Sequence, residues 1–249
     1  MSSEAKPGPA SDPKTVHPAA IEQAAHSGQR LNWLRAGVLG ANDGIVATSG
    51  LVIGVAAAGA GQGAILTAGL AGLVAGALSM AAGEYVSVST QRDTESALLA
   101  KERFELENYP AEELEELAGF YEAKGLTTDL AHTVAVQLTA HDALAAHAEV
   151  ELKLDQEDLT NPWHAALASM TAFVVGAILP LLTITLVTGP ARIPLTVVAA
   201  ALALALTGWI SAWLGEAKAR TAILRNVGGG LLAMAVTYAI GALVGTHLG

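Results

Sequence analysis

The chain contains no cysteine, which excludes disulfides, thiolate metal sites and cysteine nucleophiles and leaves the redox compartment open. Charge is scarce, at 14% of 249 residues, and basic charge is scarcer still, with 13 Lys and Arg against 23 Asp and Glu. Nucleic-acid binding requires cations that neutralise phosphates, so a net charge of −10 argues against such a partner. The first 29 residues lack the basic start and apolar run of a secretory signal. They are polar and proline-bearing, and are expected to form a disordered cytoplasmic tail (1–29). No segment shows the alternation of a strand. What remains is apolar: 52% of residues are hydrophobic and the mean hydropathy is +0.46, values of a membrane protein rather than of a large soluble core.

Five segments, about 34–58, 64–90, 163–188, 193–215 and 226–247, are apolar for the roughly 20 residues that a spanning helix needs. The turn GAGQG separates the first two, and TGPARIP, with Pro190 and Pro194, separates the third and fourth. Asn161-Pro162 reads as an N-cap followed by a first-turn proline at the start of the third span. Basic residues flank one side of these spans: Arg30 and Arg35, then Arg92, Lys101 and Arg103, then Lys218, Arg220 and Arg225. Only Arg192 falls on the other side. The positive-inside rule therefore predicts a cytoplasmic N-terminus and a C-terminus across the membrane.

Between the second and third spans, residues 92–158 hold 17 of the 23 acidic side chains and five basic ones. This insert reads as helical: span two continues unbroken through 91–108 until Asn108-Tyr109-Pro110 stops it. A second helix covers about 111–124 and closes at Gly125, and a third runs from Thr127/Thr128 to about 154. The expected fold is thus an all-α membrane protein with five transmembrane helices and a helical cytoplasmic domain inserted between helices 2 and 3. The parts are the tail, helices 1–2 (30–91), an acidic metal-binding domain (92–160) and helices 3–5 (161–249).

Asp43 lies in LGANDGIVATSG, midway along the first span. A carboxylate there costs about 2.5–3.5 kcal/mol on insertion scales and usually faces an interior path. Ala36, Gly40, Ala47 and Gly50 share its helical face. In span two, Gly69, Gly72, Gly76, Met80, Gly83 and Glu84, with Ser87 beyond, form a similar small-residue face. Two such faces can pack closely and present Asp43, Met80 and Glu84 to one cavity. Carboxylate with thioether suits a transition-metal ion such as Fe2+ better than Mg2+ or Ca2+. Against this, a mid-span methionine is common packing, and Asp43 could simply bond Asn42 or nearby backbone.

In the acidic insert, Glu102 and Glu105 stand at i, i+3, Glu113 and Glu116 repeat the spacing, and His147 and Glu151 stand at i, i+4. Each pair projects from one helical face, so three helices can gather five carboxylates and an imidazole, a donor set suited to Fe2+ or Mn2+. A run such as EELEEL is also the ordinary solvated side of an amphipathic helix. Glu107, Glu112, Glu115, Asp155, Glu157, Asp158, His132 and His141 are read as surface charge. The Glu-x-x-His pairs of ferritin-like di-iron enzymes do not occur, Asp129-Leu-Ala-His132 being the nearest approach.

Three strings, LRAGVLGANDGIVATSGLVIGV, GALSMAAGEYVSVSTQRDTE and LTAHDALAAHAEVEL, together with AGFYEAKGL, resemble the vacuolar iron transporter family over roughly residues 31–249. The resemblance implies a homodimer in the lipid bilayer with five membrane helices per subunit, span two extending into a cytoplasmic metal-binding domain. It implies a proton-coupled exporter rather than an enzyme, carrying Fe2+ and possibly Mn2+ out of the cytoplasm. The ion is both substrate and bound species, with no prosthetic group. By resemblance, Asp43 and Met80 are translocation-path ligands, and Glu102, Glu105, Glu113, Glu116 and Glu151 are the domain's carboxylate ligands. His147 and Ala148 stand where some relatives carry methionines. The absence of a targeting segment fits a bacterial inner membrane. The alternative is a membrane-anchored metal sensor or storage-coupling module that binds iron without moving it. A passive structural protein is a third reading, and it predicts no metal binding.

Overall fold

The computed structural model describes the backbone of residues 18–154 and 161–248, with side chains from residue 37 to 247 within those ranges. Every regular element among the described residues is helical: α1 (Pro18–Ala57), α2 (Gln62–Asn108), α3 (Pro110–Ala123), α4 (Thr128–His147) and a π-helical turn (Ala148–Leu152), then α5 (Pro162–Leu186), a 3-10 turn (Gly189–Ala191), α6 (Arg192–Leu214) and α7 (Ala219–Leu248). Five of them, α1, α2, α5, α6 and α7, are long and apolar enough to cross a membrane, as expected.

Helix α1 begins at Pro18, so residues 18–29, expected in the disordered tail, are helical; the rest of that tail lies outside the described residues, as do Asp155, Glu157 and Asp158. The physical reason is compositional. Proline is tolerated in a first turn, and the alanine-rich stretch after it contains no further proline, Gly28 being its one weak helix former. Helix α2 runs 47 residues without interruption, as its sequence predicts. At 1.5 Å per residue that is about 70 Å, more than twice the hydrocarbon core, so its polar half projects beyond the membrane. Asn161 caps α5 as expected, its Oδ1 accepting from the Trp163 amide at 2.9 Å. Gly125 ends α3 with φ +100.

Helix α1 sits at the centre and touches the other four spans. Glycine permits this. A methyl group at Gly44 would collide with the Phe173 carbonyl, and one at Gly176 with the Ala41 carbonyl, so α1 and α5 cross backbone to backbone. On α1's other flank, Gly54 and Gly241 bring α7 equally close. The expected pairing of α1 and α2 through their glycine faces is therefore corrected. The α1 glycines abut α5 and α7, while Gly69, Gly72 and Gly76 of α2 lie under Leu181, Leu51 and the Phe173 ring.

Aromatic side chains mark the level at which the apolar zone ends. Tyr85 of α2 meets Trp163 of α5 with ring centroids 4.7 Å apart, and Trp209 and Trp213 stack at the matching end of α6. All three tryptophans are exposed, as in an interfacial belt. Phe173, which flanks Gly44 beside Asp43, is ten residues along α5 from Trp163, a rise of about 15 Å. Asp43 therefore lies near mid-membrane.

The acidic insert has its own small core of Leu117, Ala118, Ala135, Ala146 and Val150. The third helix is not uniform, which corrects the expectation of one helix to about 154. Asp142 leaves helical geometry (φ −159, ψ 98), and its Oδ1 accepts from the Ala145 amide at 2.9 Å. A short Asp side chain can cap a new helix in mid-segment, so a second short helix starts there and ends in the π turn. Lys153 closes it at φ 55.

Candidate functional site

Asp43 and Met80 face one cleft of about 370 Å³ between α1, α2 and α5. Val46, Ala47, Thr48 and Leu51 continue its α1 wall, Gly72, Gly76 and Ser79 line it from α2, and Phe173 closes it from α5. On this side α2 meets α1 and α5 through side chains: Leu51 and Phe173 lie over Gly72 and Gly76, and Ala77 packs with Phe173 and Ala177. None of the ion pairs among the described residues involves Asp43. Met80 also packs beside Ala77, Phe173 and Ala177, so its thioether borders both cleft and core.

Glu84 is not in this cleft, contrary to expectation. It stands one turn beyond Met80, half-buried, and a side chain at adjacent Gly83 would meet nothing within 4 Å. Of the α1 residues expected to share Asp43's face, Gly40 and Gly50 pack on α5 and α7, and the Ala36 side chain lies outside the described residues. Thr48, Ser79 and Phe173 were not anticipated. Their polar or bulky character carried a signal, but only the packing puts them together.

A second constellation forms where α2 projects. The His147 imidazole is wholly buried (0% exposed), and Glu102 (2%) and Glu113 (7%) are buried with it. His147 Nδ1 lies 2.9 Å from Glu102 Oε1, 3.4 Å from Glu151 Oε2 and 3.7 Å from Glu113 Oε2. The 2.9 Å approach is not directed as a hydrogen bond, and Glu102 Oε1 and His147 Nε2 are left without hydrogen-bond partners. Three oxygens around one nitrogen exceed what a single N–H can satisfy. Ligands about 2.1 Å from one ion and 90–120° apart stand roughly 3.0–3.6 Å from each other, close to the separations seen. Glu102, His147 and Glu151 also converge within 4.8 Å of one another. The donor set therefore fits a divalent cation.

Electrostatics agree. Burial pushes the Glu102 carboxyl up to about 7, with the Glu151 charge adding and His147 opposing. Glu113 is raised by burial first and then by Glu116. Glu105 is half-buried and paired with Lys101 Nζ at 2.7 Å. Glu116 is exposed on α3, because its neighbour Leu117 takes the inward direction. Thus the structure gathers Glu102, Glu113, Glu151 and His147, and leaves Glu105 and Glu116 outside the group around the imidazole. His132 and His141 are exposed, as are Glu107, Glu112 and Glu115.

Residues 34–242 match the model of the VIT family. The chain belongs to that family. It is 44% identical to a vacuolar iron transporter of Acanthamoeba castellanii, over 85% of this chain and 78% of that protein. It is 37% identical to vacuolar iron transporter homolog 3 of Arabidopsis thaliana, over 91% and 90% of the two chains. To vacuolar iron transporter homolog 1 of Oryza sativa subsp. japonica it is 38% identical, over 88% and 76%. Both constellations of this VIT-family chain fall inside the matched residues.

Proposed function

We propose that this multi-pass membrane protein is an iron transporter that carries Fe2+, and with it Mn2+, out of the cytoplasm in exchange for protons. The observation that carries the reading is the cleft itself: a carboxylate and a thioether from different helices face one cavity near mid-membrane. Burying Asp43 there is tolerable if a cation, proton or metal, occupies it. A carboxylate in low dielectric favours its neutral or cation-bound form, so the two cations compete for it, which is the basis of exchange. The names of the relatives support iron as cargo.

On this reading the acidic insert is a cytoplasmic metal-binding domain in which Glu102, Glu113, His147 and Glu151 collect the ion, with Glu105 and Glu116 at its rim. The tail before α1 and the basic span ends face the cytoplasm, and the C-terminus lies across the membrane. Two subunits pair, covering the open side of each cleft. The chain acts in whichever membrane bounds its cytoplasm, a bacterial inner membrane or a vacuolar one.

The test is anaerobic Fe2+ flux in proteoliposomes with the internal pH recorded. The expected result is Fe2+ movement with an opposing proton flux, and Asp43→Ala lowering flux by a factor on the order of a hundred, the loss of one charged ligand. Flux through Asp43→Ala equal to wild type refutes the path. Fe2+ binding with no flux in the wild-type protein would instead assign a membrane-anchored sensor or storage module.

A further inference from the structure

Of the histidines whose side chains are described, His147 alone is buried; His132, His141, His164 and His247 are exposed. Its ring is also the one nitrogen group that Glu102, Glu113 and Glu151 all meet within ion-pair distance. Nδ1 stands 2.9 Å from Glu102 Oε1, yet this closest contact carries no hydrogen bond, and Glu102 Oε1 is buried without a partner. The bond that Nδ1 does make is the longer one, to Glu151 Oε2 at 3.4 Å. A hydrogen bond draws its partners together along the N–H, whereas two lone pairs facing each other repel. Two ligands of one cation resolve that repulsion. About 2.1 Å from the ion and roughly at right angles, they stand about 3 Å apart.

We propose that His147 decides which ions the acidic module accepts: its nitrogen admits transition-metal ions such as Fe2+ and turns away Mg2+ and Ca2+. This rests on the reading of the module as the collector of the cargo ion. Three carboxylates alone would sort poorly, because oxygen is the donor that Mg2+ and Ca2+ prefer. Imidazole suits iron, and affinity for such a site rises from Mn2+ to Fe2+. Burial sharpens the choice. Mg2+ keeps several of its waters and Ca2+ collects six to eight oxygens, and the enclosed imidazole stands where those waters or oxygens would have to be. With the ion on Nδ1, the ring proton sits on Nε2.

The experiment compares wild type and His147→Asn as full chains in detergent, with anaerobic Fe2+, Mn2+, Mg2+ and Ca2+ as separate probes. Asparagine puts a carbonyl oxygen at the reach of Nδ1. Binding is read as exchange protection of α3 and α4 amides, and the ligand as nitrogen hyperfine coupling in the electron-spin echo of bound Mn2+. The expected result is nitrogen coupling in wild type that is lost in His147→Asn. The Fe2+ midpoint should rise at least about tenfold in the variant, Mn2+ less, and Mg2+ and Ca2+ by under about threefold. Equal shifts for all four ions overturn the proposal, as does nitrogen coupling that survives in His147→Asn. If that variant does not fold, the wild type decides. Bound Mn2+ without nitrogen coupling overturns the proposal, and coupling with protection by Mn2+ but not by equal Mg2+ supports it. Selective binding without flux in proteoliposomes removes the transport reading and leaves His147 as the selector. Failure of every ion to protect the wild-type module removes the collecting role and this proposal with it.

Discussion

Glu102→Gln should make the metal-free acidic module more stable and at the same time blind to metal. Burial raises the Glu102 carboxyl from 4.5 to about 7, so the folded state holds its proton more tightly than the unfolded chain does. The stability contribution of that proton is whole below about pH 4.5 and is lost as pH rises through about 7. At pH 8 the folded module carries a buried charge whose cost is at most on the order of 3 kcal/mol, at 1.36 kcal/mol per unit and shared with the neighbouring Glu151 and His147. Glutamine removes the charge and keeps the shape.

The assay is hydrogen exchange of α3 and α4 amides in the full chain. At pH 8 without metal, protection in Glu102→Gln should exceed wild type by up to about a hundredfold, the same energy expressed as a ratio. At pH 4 the two should agree, since wild-type Glu102 is protonated in both states. Adding Mn2+, a redox-stable divalent probe, at about a hundred times its Kd should stabilise wild type by about 2.7 kcal/mol and the variant hardly at all. Lower protection in the metal-free variant at pH 8, or equal Mn2+ protection in both proteins, refutes the assignment of Glu102 as a strained ligand.

Two further substitutions test the scaffold. Gly44→Ala pushes a methyl into the Phe173 carbonyl and should cost about 1–3 kcal/mol in thermal stability, whereas Gly83→Ala, with open space around it inside α2, should be neutral or stabilise by up to about 1 kcal/mol; equal melting of the two refutes the close crossing of α1 and α5. Asp142→Ala removes the mid-segment cap and should cost about 1 kcal/mol of α4 protection. It should also weaken Mn2+ binding by calorimetry, because the cap aims His147 and Glu151, and Asp142→Asn should restore both.

The spans could be read directly from the chain because a bilayer demands one property, apolar length, that a single segment displays alone. The same holds for α2: nothing between Gln62 and Asn108 interrupts a helix, and Pro110 forces the stop. Glycines announced close packing but not its partner, since Gly44 meets Phe173 and Gly54 meets Gly241 across more than a hundred residues of sequence. The i, i+3 glutamate pairs were visible. Which member turns inward was not, because the two differ by only 60° and neighbours such as Leu117 and Lys101 decide. The break at Asp142 was hidden for a related reason. Aspartate is admissible inside a helix and also starts one, and only tertiary packing selects between the two.

Met80 and Glu102 lie on the same unbroken helix, 22 residues apart in the chain, a separation of about 33 Å. No ion can be shared over that distance. At physiological ionic strength the screening length is about 8 Å, so the charge of a loaded cluster is not felt electrostatically in the cleft through solvent. On the transport reading proposed above, two links remain. One would be the free ion, released at the projecting end and taken up again at the membrane. The other would be α2 itself: a cation drawing Glu102 towards His147 and Glu151 would pull on the projecting end of a rod whose other half forms the cleft wall. Gly72 and Gly76 meet the other walls through the Leu51 and Phe173 side chains, and not through a backbone crossing like that of α1 with α5, while Ile65, Leu73 and Ala77 of the same helix pack against α1 and α5.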